Sequence, residues 1–411
     1  MKILVLNAGS SSLKFELIET SPEQIENNRD RSLAEGSIEK IGSGEAVVSY
    51  KVTGEVESKL KREILEHQQA VKVAIELMAG KPDGIIQDAA EIEGVGHRIV
   101  HGGEHFRTSV LMDDEVLRQI ESSIELAPLH NPHNLKGYRA AQAILLCSKH
   151  VAVFDTAFHQ TLPQRAYLYG LPYAVYTRHH IRRYGFHGTS HRYVRYRYAQ
   201  IKKVPSNEVR LITCHLGNGC SVCAVDGGKS IDTSMGFTPL EGLMMGTRSG
   251  DVDPAAILHV MEKEGLRFEE VNSLLNKHSG LYGVSGLSND MRTLLKHREQ
   301  GNERAATAID VFCYRVKKYF GAYLAALNGA DAIVFTGGIG ENAPAIRAQI
   351  CDRLDSLGIT LDPERNELAV GKEQEISGED AALKVWVIPT DEELLIARDT
   401  LRCVLNLPHH H

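Results

Sequence analysis

Leu4-Val5-Leu6-Asn7-Ala8-Gly9-Ser10-Ser11-Ser12-Leu13-Lys14-Phe15 is the stretch from which the rest of the chain can be read. The apolar run Ile3 to Leu6 predicts a buried strand, and Leu13 to Ile18 predicts the strand that returns beside it. Between them lies a polar turn with one glycine and three hydroxyls. Gly9 lets the backbone bend and approach another group closely. N–H groups and hydroxyls on such a turn make a concave surface that suits phosphate, and Lys14 adds a positive charge. The competing reading is a plain serine-rich hairpin, because turns favour Gly and Ser in general.

A second stretch of the same design decides between them. Val209 to Cys214 predicts a strand, Leu216-Gly217-Asn218-Gly219 a Gly-rich turn, and Cys220 to Val225 the returning strand, closed by Asp226-Gly227-Gly228. Each half of the chain then continues into αβ units. In the first half, residues 1–60 are β-rich, with a strand at Val47–Val52. Helices are predicted at 62–79 (ended by Gly80 and Pro82), 114–126 and 134–146. A strand at 151–154 ends in Asp155. In the second half, Asp253-Pro254 starts a helix that Gly265 stops, and an apolar stripe from Ile309 to Leu327 marks a long core helix over 303–327. Strands at 332–335 and 385–388 precede a last helix over 391–405. The class is α/β, with a weak internal duplication. Two such turns facing one another would make a cleft with phosphate-binding walls.

Composition narrows the function. The 411 residues suit two or more domains, 43% are apolar, and the net charge of −7 with mixed signs excludes a general nucleic-acid or membrane-surface binder. No apolar run approaches the ~20 residues of a membrane helix, and four apolar residues before Asn7 are too few for a signal-peptide core. The expected location is the cytoplasm. Seven scattered cysteines do not read as a disulfide framework. His409–His411 read as a purification-tag remnant.

Five polar clusters follow or interrupt apolar runs, and the opening turn is the first. Arg98, within Gly96–Glu104, is a fixed fork able to hold a carboxylate or phosphate; alone it could equally be a surface ion pair. Asp155 ends a strand, where a carboxylate suits Mg²⁺ or caps a turn. His187, flanked by glycines, and Arg248 form the fourth group, and the histidine could serve as acid, base or charge stabiliser. Thr336–Asn342 contains Gly-Gly-x-Gly but lacks the full dinucleotide fingerprint, which weighs against NAD. Near the C-terminus, Thr390 and Glu393 have capping-box spacing, which leaves Glu392 as the candidate for a metal-linked role. Cys220 and Cys223 have C-x-x-C spacing, but on a strand they point to opposite faces, which argues against zinc.

Taken together, the clusters resemble the acetate kinase family over nearly the whole chain. The resemblance rests on Asn7–Lys14, His97–Gly103, Ala127–Pro132, Val153–His159, Tyr184–His191, His215–Gly219, Met245–Pro254, Phe335–Asn342 and Pro389–Leu394. It implies two duplicated ribonuclease-H-like (actin-like) domains flanking a nucleotide cleft. The expected domains are 1–156 with 391–411, and 157–390. It also implies reversible phosphoryl transfer between ATP and acetate, Mg²⁺ with Mn²⁺ as the alternative ion, and a homodimer with no nucleic-acid or membrane partner.

By the same resemblance, Asn7, Arg98, Asp155, His187 and Arg248 are catalytic, and Asn7 and Glu392 hold the metal. Ser10, Ser12, Lys14, His215, Gly217, Asn218, Gly219, Asp290, Arg292, Gly338, Ile339 and Asn342 bind the nucleotide, and His130 lines the same cleft. Val100, Leu129, Phe186 and Pro239 surround the acetate methyl, and Val100 favours acetate over propionate. One departure is visible: Cys220 stands where the family usually has glycine, and a positive φ there would strain a cysteine. The alternatives are a propionate or other short-chain acyl kinase, and an actin- or chaperone-like nucleotide switch.

Overall fold

The opening stretch is a hairpin in the middle of a sheet. β1 (Lys2–Ala8) and β2 (Ser12–Glu19) pair antiparallel, with Leu6 opposite Phe15 and Asn7 opposite Lys14. The structure is a computed structural model and describes residues 1–79, 85–128 and 130–408. The chain packs as two units: Met1–Gln160 with the chain from Asp391 onward, and Thr161–Thr390.

In the first unit the sheet continues through β3 (Arg31–Glu39), β4 (Ser43–Val52), β5 (Ser58–Ile64), β6 (Ile92–Ile99), β7 (Val110–Leu111) and β8 (Lys149–Phe154). The spatial order is β5-β4-β3-β2-β1-β6-β8-β7, and β1, β6 and β8 run parallel. The two-residue period of β1 sends its side chains to both faces. Leu4 and Leu6 join a core with Ala70, Val71 and Met78 of the helix His67–Ala79 and Ala140 and Ala141 of the helix Asn131–Ile144. Ile3 and Val5 meet Ile396 and Ala397 of the C-terminal helix Glu392–Leu405. That helix is fixed by Arg398, which pairs with Asp30 at 2.5 Å with both side chains buried, and by Asp399, which accepts a bond from Ser109 at 2.6 Å.

The second unit holds β9 (Leu211–Leu216), β10 (Cys220–Asp226), β11 (Lys229–Thr233), β12 (Ala332–Thr336), β13 (Gln374–Glu375) and β14 (Lys384–Val387). Its order is β11-β10-β9-β12-β14-β13, with β9, β12 and β14 parallel. The run β3-β2-β1-β6-β8 of one sheet therefore repeats as β11-β10-β9-β12-β14 of the other. The helix Glu303–Leu327 buries the predicted stripe, and Phe320 stacks edge-on against Phe335 of β12 with ring centres 5.8 Å apart. Among the described residues no helix is long and apolar enough to cross a membrane.

Several expectations are corrected. Residues 62–64 belong to β5 and not to a helix. Pairing with β4 at the sheet edge overrides the helix-favouring Lys, Arg and Glu content, and such charge is common on edge strands. The polar cluster at 336–342 forms a short helix, Gly337–Asn342, that the sequence did not lead one to expect. The last helix is capped by Asp391, whose carboxylate accepts from the Leu394 N–H at 2.9 Å, so the Thr390–Glu393 box does not form. The expected strain at Cys220 is absent: neither Gly219 nor Cys220 has a positive φ, and Cys220 begins β10 in ordinary strand pairing. Gly80, Pro82, Leu129 and His409–His411 lie outside the described residues.

Candidate active site

The first unit gathers its polar candidates at the ends of parallel strands. Arg98 sits near the end of β6, opposite Val153 of β8, and Asp155 follows β8 directly. The Asp155 N–H donates to the Ile99 carbonyl at 3.0 Å, which locks the carboxylate beside the arginine. Arg98 grips it bidentately, Nε to Oδ1 at 3.0 Å and Nη2 to Oδ2 at 2.6 Å. Burial opposes the Arg98 charge, but Asp155 and Glu392 hold its pKa above the ordinary value. Asp155 thus orients Arg98, whose Nη1 makes no hydrogen bond among the described residues.

Glu392 opens the C-terminal helix, and its Oε2 lies 3.8 Å from Arg98 Nη2. This oxygen is buried and has no hydrogen-bond partner among the described residues. Burial raises the Glu392 pKa to about 7, against the pull of Arg98. Asn7 is the penultimate residue of β1. Among the described residues no cluster of three or more His, Cys, Asp or Glu side chains forms a metal cage. Mg²⁺ needs none, because it keeps several waters and takes one or two carboxylates. The orphaned Glu392 oxygen fits that demand.

The turn Gly9–Ser11 is tight for a steric reason and not a conformational one. Gly9 has no positive φ, but a Cβ there would stand 2.7 Å from Ser12 Oγ. Ser10 lines a cavity of about 490 Å³ with His67, Lys136 and Arg139, whereas Lys14 lines another of about 730 Å³ with Glu16, Tyr50 and Glu393. Asn134 is a residue that the sequence reading missed. Its buried amide donates to the Ala8 carbonyl at 2.8 Å and accepts from the Val100 N–H at 3.0 Å, joining the phosphate-type turn to the loop after Arg98. His130 stands at the start of the same helix and gives it no side-chain cap.

The second unit builds its group around Gly219. His187 adopts a left-handed backbone (φ +56°) after Gly185 (φ +76°), at the start of the helix Gly188–Lys202. The adjacent Phe186 is buried. His187 Nδ1 joins Ser221 Oγ at 2.9 Å, and its ring lies 4.3 Å from that of His215, which Ser190 holds at 2.8 Å. Arg248 donates from Nη1 to the Pro239 carbonyl at 3.1 Å. Burial lowers the Arg248 pKa, and among the described residues the guanidinium pairs with no carboxylate. A Cβ on Gly219 would meet His187 Nε2 at 3.4 Å and Arg248 Nη1 at 3.7 Å. The two donors therefore converge on the space that this glycine leaves.

Next to this turn lies a cavity of about 560 Å³. Gly217, Asn218, Asp290, Arg292, Gly338, Ile339 and Asn342 all line it. Asp290 caps the helix Met291–Glu299 and also pairs with Arg292 at 3.2 Å. A Cβ on Gly338 would meet nothing within 4 Å, so that glycine faces open space. Gly246 instead admits Asn218, whose Oδ1 would be 1.9 Å from an added Cβ.

Comparison with known proteins identifies the family. A profile of the Acetokinase family matches residues 2–398. An acetate kinase of Solibacter usitatus is 52% identical over 413 residues, covering 100% of both chains. The crystal structure of Porphyromonas gingivalis acetate kinase superposes with a TM-score of 0.92 at 45% identity, covering 98% of this chain and 99% of that one. A propionate kinase from Francisella tularensis gives 0.89 at 40% identity, covering 99% and 100%. Matched by the family profile over nearly its whole length and about half identical to its relatives, this chain belongs to the acetokinase family.

Proposed function

We propose that this protein transfers the γ-phosphoryl group of ATP to acetate, reversibly, giving ADP and acetyl phosphate. An acetate oxygen attacks phosphorus in line as the bond to the ADP oxygen breaks, and no phosphoenzyme forms. The carboxylate is already an anion at neutral pH, so it needs no strong base. The protein's task is to align two anions and to offset charge on the equatorial oxygens. The observation that carries this reading is the convergence of His187 and Arg248 on the Gly219 turn, beside a cavity of a size to take adenosine. Arg98, oriented by Asp155, supplies the second guanidinium and binds the carboxylate end of acetate.

In this reading Glu392 and Asn7 hold Mg²⁺ (or Mn²⁺) through its water shell, and when bound the ion offsets phosphate charge. Residues 1–156 with 391–411 serve the acyl group and 157–390 the nucleotide. Ser10, Ser12, Lys14 and His215 add phosphate contacts. The working form is a cytoplasmic homodimer, as the family resemblance implies; light scattering on the purified protein checks the dimer.

The likeness to a propionate kinase keeps one second reading in view, with the same chemistry and a larger acyl group. Val100, Leu129, Phe186 and Pro239 would surround the acyl chain, and Val100 limits its length. One methylene in such a pocket changes discrimination by ~1–3 kcal/mol. The test is acyl phosphate formation, trapped as hydroxamate, with Mg-ATP and formate, acetate, propionate or butyrate. Acetate should give the highest kcat/KM. A higher value for propionate or butyrate would overturn the pocket assignment, and no product with any of the four would overturn the activity.

A further inference from the structure

Behind His187 runs a chain of buried polar groups that the proposed reaction does not use directly. His187 Nδ1 meets Ser221 Oγ at 2.9 Å, Ser221 Oγ meets His191 Nε2 at 2.8 Å, and His191 Nδ1 meets Thr213 Oγ1 at 2.7 Å. Ser221, His191 and Thr213 are completely buried. The elements fix them rigidly. His191 stands one helical turn after His187 and its N–H donates to the His187 carbonyl, while Thr213 and Ser221 lie on the paired strands β9 and β10.

We propose that Ser221, backed by His191 and Thr213, is a positioning residue that keeps His187 neutral with its proton on Nε2. This inference rests on the placement of His187 in the phosphoryl-transfer site described above. A serine hydroxyl has one proton and here stands between two ring nitrogens, so it donates to one and accepts from the other. If it donated to His191, a neutral His187 would carry its proton on Nδ1 and present an unprotonated Nε2 to the Gly219 space, where the anion must lie. Adding a second proton would make His187 cationic close to Arg248, which the like charge opposes. In the other direction every group is satisfied. Thr213 donates to His191 Nδ1, His191 Nε2–H donates to Ser221, and Ser221 donates to His187 Nδ1. The His187 Nε2–H then points at the space that Arg248 also faces. The bond made by one ring nitrogen decides which proton the other presents.

The experiment has two parts. NMR of the full-length protein labelled with ¹⁵N-histidine, with His187→Asn to assign the signal, should show His187 Nδ1 as an unprotonated nitrogen at neutral pH. A proton on Nδ1 overturns the proposal. Steady-state kinetics should show Ser221→Ala losing about 10–100-fold in kcat, with KM for ATP and for acetate within about twofold of the parent, because Ser221 touches no substrate. Ser221→Thr, which keeps the hydroxyl, should recover most of the loss. Ser221→Ala at parental kcat beside an inactive His187→Asn overturns the relay and leaves the site reading standing. Parental kcat in both variants removes His187 from the reaction, and the proposal with it.

Discussion

Gly219 matters for what it lacks. Its missing Cβ leaves room in which His187 Nε2 and Arg248 Nη1 face the same point, 3.4 and 3.7 Å from where that atom would be. Gly219→Ala is expected to lower kcat/KM at least about tenfold, since the methyl would occupy the space that both side chains face and shift the reacting group from its alignment. The melting temperature should hold within about 2 °C, because no positive φ is needed there. A variant with parental kinetics would show that the donors serve some other point. Much of this residue-level picture was legible in the sequence. Glycines beside His187 and near Arg248 suggested close approach, Asp155 stood at the end of a predicted strand, and Arg98 was recognisable as a fixed fork, although its grip on Asp155 was not. Asn134 and the Ser221–His191–Thr213 chain were not legible. A buried Asn, Ser or Thr is spelled like an exposed one, and its meaning comes from partners up to 126 positions away. The strain expected at Cys220 was an error of the same kind, because backbone angles at a turn depend on how the paired strands close it.

Among the elements, the short helix Gly337–Asn342 has an unusual support. Glu341 reaches back with one carboxylate oxygen to its N-terminus, accepting from the Gly337 N–H at 2.7 Å and from Thr336 Oγ1 at 3.3 Å. The same oxygen accepts from the Thr390 N–H at 3.1 Å. Gly337 has a positive φ of +74°, which favours glycine, and a Cβ there would also press on the Leu216 backbone at 2.8 Å. This helix presents Gly338, Ile339 and Asn342 to the 560 Å³ cavity. Glu341→Ala is therefore expected to raise KM for ATP about tenfold, in line with the loss of a charged hydrogen bond, while KM for acetate stays near the parental value. Equal rises in both constants would argue for general loosening and against a specific nucleotide wall. The sequence shows no helix here, because six residues are too few for helical periodicity. It also placed the last helix cap one residue early, since Thr390 and Asp391 are both good caps and only the observed geometry selects Asp391.

At the scale of the whole molecule, the duplication was readable from two strand–turn–strand patterns, and the matching sheet orders repeat it in three dimensions. What the sequence did not reveal is how the C-terminal helix is received by the first unit. Its Arg398–Asp30 pair joins residues 368 positions apart, and its start lies beside a carboxylate of β2. Glu16 on β2 faces Asp391 and Glu393, with Glu35 beside it. Burial, reinforced by these carboxylates, raises the Glu16 pKa from 4.5 to about 7. The folded protein therefore binds a proton between pH 4.5 and 7 that the unfolded chain has released. Stability from this group is fully present below about pH 4.5 and is lost as pH rises through 7. Gln at position 16 imitates the protonated side chain at every pH. Glu16→Gln should melt close to the parent near pH 4.5, and the gap should widen in the variant's favour up to pH 7 and stay level above it. A plateau of about 1–3 °C is expected for a chain of this size, with the solvent-screened part of the effect discounted. Thermal melts of both proteins from pH 4.5 to 8.5 decide the matter. A gap that does not change with pH would mean that Glu16 ionises normally, and that the start of the C-terminal helix packs against β2 without electrostatic cost.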